Sequence, residues 1–396
     1  MEKYKQIQIQ KLSASTVKSS YLLHCNGHYY EVSPAVAELI SCLQENEIRE
    51  EAIQAYIHKR QGIYSAEQVE KLIDQYIEPV LSASAVKKHT FLYERELLPA
   101  AQIDQFSDKF RFLFHRTYMS LLFFIAIVAD ACFFYSTDDL LVFNNYVNVY
   151  TVIGLLVFLI GSSFFHELGH ASACKYFGVR HGGIGFGLYL NFPVLYTDVT
   201  EVWKLRRGQR CVVNLAGVYF QSYWLILLLF VFFLTGNDIV RYLILIMNLG
   251  FVMTLNPFFK FDGYWIASDL LGVPNLRQRS LELFSYAWNK LRKRPTGKLP
   301  YLLQIRRLER YGLLVYSIVV NFFMGYYFLY IIPTFLYRFV QTFPDAVSEL
   351  ILYLSNQMAP PFALLRNIGM QLIFLGLIGY LAYKSITPLL KRHGRS

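Results

Sequence analysis

Long runs almost free of charge constrain this chain most. Leu140–Phe165, Cys211–Asn237, Tyr242–Phe259, Tyr311–Tyr337 and Asn367–Tyr383 contain no Asp, Glu, Lys or Arg, and Thr117–Thr137 contains only Asp130. A bilayer core takes about 20 apolar residues to cross, and a chain inside it must satisfy its own backbone groups, which a helix does. These runs therefore predict about six transmembrane helices. Composition agrees: of 396 residues 55% are hydrophobic and 17% charged, against about 25% charged in soluble domains. A soluble globule and a disordered chain are both excluded.

The formal charge of +10 is concentrated between particular runs. Lys109, Arg111 and Arg116 precede the first, and Lys204, Arg206, Arg207 and Arg210 precede the third. Ten Lys and Arg against two Glu lie from Arg277 to Arg310. Two of the intervening segments hold acids and no Lys or Arg: Asp138 and Asp139 after the first run, and Asp345 and Glu349 within 339–365. Alternating sides puts every basic segment, and Lys391 to Arg395, on one face. The positive-inside rule then predicts an even number of spans with both termini cytoplasmic. Basic segments broken up by bilayer-length apolar runs argue against nucleic acid as a partner. The opening residues lack the apolar core of a signal peptide, and the five cysteines form no Cys-x-x-Cys pair.

Residues 1–110 differ from the rest, with 12 of the 17 glutamates in the first 96 positions. Tyr21–Cys25 and His28–Val32 flank Asn26-Gly27, a strong hairpin signal. Ser33-Pro34 predicts a cap and first-turn proline for a helix over Pro34–Gln44. A second helix is expected over Glu47–Arg60, ending near Gly62, and Ser65 to Gln68 matches a capping box that opens a third. The expectation is a small cytoplasmic α+β domain of winged-helix size, followed by a membrane domain over 111–396. That membrane domain includes a basic cytoplasmic loop at about 266–310.

The chemistry-bearing residues stand at the cytoplasmic end of the second run: His166-Glu167-Leu168-Gly169-His170. Histidines at i and i+4 differ by about 40° around a helix, so both can face one metal ion, while Glu167 points to the side, toward an activated water. Ionisable groups at membrane depth are costly and mark function. Zinc hydrolase sites usually have three protein ligands. The best third candidate is Asp262, in Asn256-Pro257-Phe258-Phe259-Lys260-Phe261-Asp262-Gly263, where Pro257 breaks the helix on the same face. Asn214, Gln221 and Asn256 are candidates for contacting an oxyanion or the substrate backbone. Asp130 would line a polar cavity or sit near the outer interface.

Together these motifs resemble the site-2 protease family of integral-membrane zinc metallopeptidases, across runs two to four. The resemblance implies Zn2+ held by His166, His170 and Asp262, with Glu167 activating water, in a bacterial cell membrane. No PDZ segment is evident, which is closer to the peptide zinc metalloproteases of modified-peptide gene clusters. The glycine-rich segment at about 182–198 resembles that family's membrane-dipping hairpin and would hold substrate extended. The amino-terminal layout is similar to PqqD-type domains, which implies a precursor peptide as partner, together with a peptide-modifying enzyme and an ABC exporter. The rival expectations are cleavage of an anti-sigma factor or signal-peptide remnant, and a non-catalytic export or immunity component.

Overall fold

The computed structural model describes residues 2–12, 20–82, 93–138, 140, 149–189, 192–295 and 300–393. The chain is mainly helical and forms two compact units, residues 1–89, 95–186 and 195–313 in one and 90–94, 187–194 and 314–396 in the other.

The amino-terminal elements share a core of their own. They are α1 (Glu2–Lys5), β1 (Gln8–Leu12), β2 (Ser20–Cys25), β3 (His28–Val32), α2 (Pro34–Glu45), α3 (Arg49–Lys59), α4 (Ala66–Leu72) and, after a π-helical turn, α5 (Glu78–Ser82). Asn26 and Gly27 both take positive φ, as a type I′ hairpin requires. The Ser33 hydroxyl accepts from Val36 N, and Ser65 and Gln68 complete a reciprocal capping box. The sheet is antiparallel in the order β1-β2-β3, so β1 is an additional strand beyond the expected pair. Its sequence, QIQKL, sits beside no turn signal that would expose it to sequence reading. Tyr4, Leu23, Leu39, Ile40, Leu43, Tyr56 and Ile73 are buried together in this core.

Next come β4 (Glu94–Leu98), α6 (Ala100–Phe110), α7 (Arg116–Ser136), α8 (Val149–Tyr176), β5 (Ile184–Tyr189), β6 (Phe192–Thr197), α9 (Arg207–Thr235), α10 (Asp238–Thr254), α11 (Asp262–Leu271) and α12 (Leu276–Leu291). Buried Tyr219 and Phe220 of α9 pack with Leu168, Ala171 and Cys174 of α8 and with Phe114 just before α7. Residues 266–310, expected as a basic loop, hold most of α11, all of α12 and a 3-10 turn at Tyr301–Gln304.

α13 (Arg307–Tyr326), a π-helical turn and α14 (Ile332–Ser355) follow, then α15 (Phe362–His393). Residues 339–355, expected as an outer loop, are helical, and α14 packs on α15 through Ala346, Leu364 and Ile368. Among the described residues five helices are long and apolar enough to cross a membrane: Arg116–Ser136, Ile153–Tyr176, Arg207–Thr235, Arg307–Ser355 and Ala363–Tyr380. That makes a multi-pass membrane protein. The run expected as a fourth span is α10, 17 residues ending at Thr254. At about 26 Å it lies at the short limit for crossing a bilayer. The beginning of the second run, 141–148, lies outside the described residues.

Candidate metal centre

The site is built on α8, α9 and the first turn of α11. A regular helix from Val149 to Tyr176 puts His166 and His170 one turn apart with their rings 4.8 Å centre to centre. Asp262 arrives by a sharp reversal. Asn256 accepts from Phe258 N at 2.8 Å, an Asx turn that opens the break at Pro257. The chain then folds back so tightly that a Cβ on Gly263 would run into the Leu255 carbonyl. α11 therefore begins at Asp262 with its carboxylate beside the two imidazoles.

Three atoms converge. Asp262 Oδ2 lies 3.0 Å from His166 Nε2 and 3.3 Å from His170 Nε2, and the two Nε2 atoms are 3.1 Å apart. Ligands held about 2.0–2.1 Å from one zinc ion at tetrahedral angles stand roughly 3.3 Å apart, so the spacing fits.

Proton positions sharpen the test. His170 Nδ1 lies 2.8 Å from the Val213 carbonyl, which can only accept, so the neutral ring carries its proton there. His166 Nδ1 faces Gln221 Oε1 at 3.1 Å, and the Gln221 amide nitrogen donates to Ser162 Oγ at 3.0 Å. Both Nε2 lone pairs then point inward, and Asp262 Oδ2 is buried with no hydrogen-bond donor. Three inward-facing acceptors without a proton between them are stable around a cation. Imidazole and carboxylate suit zinc.

α9 is the frame for this arrangement. Gly217 lies against the His166 ring so closely that a methyl group there would overlap the imidazole, and Gly169 of α8 meets the Ala216 carbonyl in the same way. Arg207, Arg210, Asn214, Gly217 and Gln221 recur at spacings of three and four, which is one stripe of the helix. At its upper end Arg210 Nε donates to Asp269 Oδ1 at 2.6 Å, Asn214 donates to Asp269 Oδ2 at 3.0 Å, and Arg207 Nε donates to the Asp269 carbonyl at 2.9 Å. The stripe thus grips α11 at one end and orients His166 at the other.

The sequence candidates divide accordingly. His166, His170 and Asp262 come together, and Glu167 is buried on the same turn of α8. Gln221 Oε1 faces His166 Nδ1, Asn214 donates to Asp269 of α11, and Asn256 accepts from Phe258 N in the turn that leads to α11. Asp130 accepts from Asn248 at 2.9 Å, joining α7 to α10. In the sequence Arg210 counted only among the basic residues that set orientation, and Asp269 was not singled out. Their visible trace is the polar stripe at the head of an apolar helix. Both members of the pair are more than nine-tenths buried. Arg210→Met should therefore destabilise the protein by about 3–5 kcal/mol by stranding a buried carboxylate, with much of the loss recovered in Arg210→Met/Asp269→Leu. Thermal unfolding in detergent measures both.

The glycine-rich segment forms an edge of this region. Strands β4, β5 and β6 make a second sheet in that order. The glycines allow close approach: a Cβ on Gly183 would strike Glu96 and the Leu98 carbonyl, and one on Gly185 would strike the Tyr196 ring. At the end of β6 the Thr197 hydroxyl donates to the Glu167 carbonyl at 3.3 Å. Positions 190 and 191 lie outside the described residues.

No family model matches the chain, and no solved structure matches it. It is similar to a Bacillus subtilis (strain 168) protein named "Putative peptide zinc metalloprotease protein YydH", with 28% identity over 122 residues. The match covers 30% of this chain and 48% of that protein, so it spans about half the relative's length. It supports a distant relationship of zinc metalloprotease type.

Proposed function

We propose that this chain is a membrane zinc endopeptidase that cleaves a small precursor peptide, maturing a ribosomally made, modified bacterial peptide. The observation that carries this reading is the convergence of His166 Nε2, His170 Nε2 and the donorless Asp262 Oδ2 next to buried Glu167. The name of the Bacillus relative supports it.

A zinc hydrolase site with three protein ligands keeps its fourth position for water. Zinc in such a site polarises a carbonyl and lowers the pKa of water. Glu167 takes a proton from the attacking water and delivers it to the amine nitrogen as the peptide C–N bond breaks. Gln221 and the Val213 carbonyl keep the imidazole rings in the tautomer that offers Nε2 inward. β6 ends beside Glu167, where the Thr197 hydroxyl donates to the Glu167 carbonyl, and is suited to hold the substrate extended there, because a helical peptide hides its scissile carbonyl.

Delivery is assigned to the amino-terminal domain, read as PqqD-like, which would take a leader peptide as an added strand. Its sheet reaches the turn that follows β6, where Gln10 donates to the Lys204 carbonyl at 2.8 Å. On the orientation read from the basic segments, the zinc site opens near the cytoplasmic face, where a newly made and modified precursor is available and an exporter can remove the product.

Mass spectrometry of small peptides in cells with and without this protein tests the reading. A precursor should accumulate without it and a shortened peptide should appear with it. Identical peptide profiles would refute the proposal.

A further inference from the structure

α12 has an apolar face turned away from the protein. On its inner side Leu276 and Ser280 are buried, and the Arg279 guanidinium lies 4.5 Å from the Tyr301 ring centre. On its outer side Leu281, Phe284, Trp288 and Leu291 recur at spacings of three, four and three, within about 80° of one another. They are 55%, 59%, 45% and 77% exposed. Gln278, Ser285 and Asn289 form the strip alongside. A helix of 16 residues is about 24 Å long, too short and too polar along one side to cross a bilayer.

The charge pattern identifies what covers this face. From Leu276 to Arg294 there are six Lys and Arg against the single acid Glu282. Arg292, Lys293 and Arg294 are exposed at the end of the helix. Arg292 sits over the Trp288 ring at 4.3 Å, which puts a cation beside an aromatic ring of the kind that settles at headgroup level. We propose that α12 lies in the headgroup layer of the bilayer and binds anionic phospholipids, its apolar stripe in the acyl boundary and its basic end on the phosphates. Such helices bind through buried apolar area combined with electrostatic attraction to anionic lipid. A second protein copy would satisfy the apolar stripe but gives no reason for the basic triplet.

The placement has a structural consequence. Only Gly272 to Asn275 separate α12 from α11, and Tyr264 accepts from Arg277 N at 3.4 Å. Anchoring α12 therefore fixes the depth of the helix that begins at Asp262. The inference does not depend on the zinc reading.

Full-length protein in nanodiscs of phosphatidylcholine with about 30% phosphatidylglycerol tests it. With acyl chains brominated near the carbonyl end, the Trp288 emission, taken as wild type minus Trp288→Phe, should be quenched. Each basic residue near an anionic surface is worth about fivefold in affinity. Arg292→Glu/Lys293→Glu/Arg294→Glu should accordingly lower phosphatidylglycerol retention, read by native mass spectrometry, by at least tenfold. Trp288 shielded from the bromines, whether by a second copy or a peptide, overturns the proposal. So does a triple variant that retains phosphatidylglycerol as the wild type does.

Discussion

Glu167→Gln should keep zinc and lose peptide cleavage. The amide has nearly the shape of the carboxylate, and Glu167 is not one of the three converging ligand residues, so the metal-binding geometry is retained. What disappears is the group that accepts a proton from water and returns it to the leaving amine. General acid–base groups contribute about 10²- to 10⁴-fold, and here one residue serves both steps, so turnover should fall by at least about 10³-fold. Metal content by elemental mass spectrometry should stay near one zinc per chain, while cleavage of the precursor by purified protein becomes undetectable. A Gln variant that cleaves at the wild-type rate would remove Glu167 from the mechanism. A variant that loses zinc would show that the residue holds the ion instead.

Asp262→Ala should have the complementary effect. It removes the only anionic ligand and leaves two neutral imidazoles. Zinc in four-ligand protein sites is worth about 10–16 kcal/mol. One ligand of four then represents about 3 kcal/mol or more, a weakening of at least about a hundredfold. The helix itself should stay in place, because Asp269 remains tied to Arg210 and Asn214 and Arg207 still holds the main chain. Competition with a chromophoric chelator should show the loss of affinity, with far-UV circular dichroism and detergent Tm of the metal-free protein unchanged. Wild-type affinity in Asp262→Ala would exclude the carboxylate as a ligand. A collapse of Tm would show instead that Asp262 holds the fold.

Much of the site could be read in the sequence because its parts are local. The two histidines lie on one helix turn, and helix geometry alone predicts that their rings share a face. Asn26-Gly27, Ser33-Pro34 and Ser65 to Gln68 are equally local, and their turn and caps form as expected. Other elements were not singled out in the sequence. β1 and β4 are short strands stabilised by neighbours distant in sequence or by a partner hairpin, and β4, ERELL, carries charges that suit an edge strand. α12 looked like loop because its basic residues dominate a count of charges, although its apolar residues keep helical spacing.

Gln221 and Arg210 show the same limit at the site. On sequence alone Gln221 is a polar residue in an apolar span, as compatible with an oxyanion as with packing. Only the position of His166, 55 residues earlier, shows that its amide oxygen meets a ring nitrogen. Arg210 counts toward orientation in the sequence, yet in the fold it is buried against Asp269. The glycine-rich segment was expected as a hairpin, and β5 and β6 lie there, with several of its glycines letting strands and the Tyr196 ring approach closely.

By itself the sequence determined the membrane-spanning character, the His-Glu-x-x-His helix and the hairpin and caps of the amino-terminal domain, because each depends on composition or on spacing within one or two turns. The tertiary structure decided which atoms meet: Asp262 with two imidazoles, Gly217 with His166, Arg210 with Asp269. Those pairings depend on how α8, α9 and α11 pack, and packing joins residues that no local period relates.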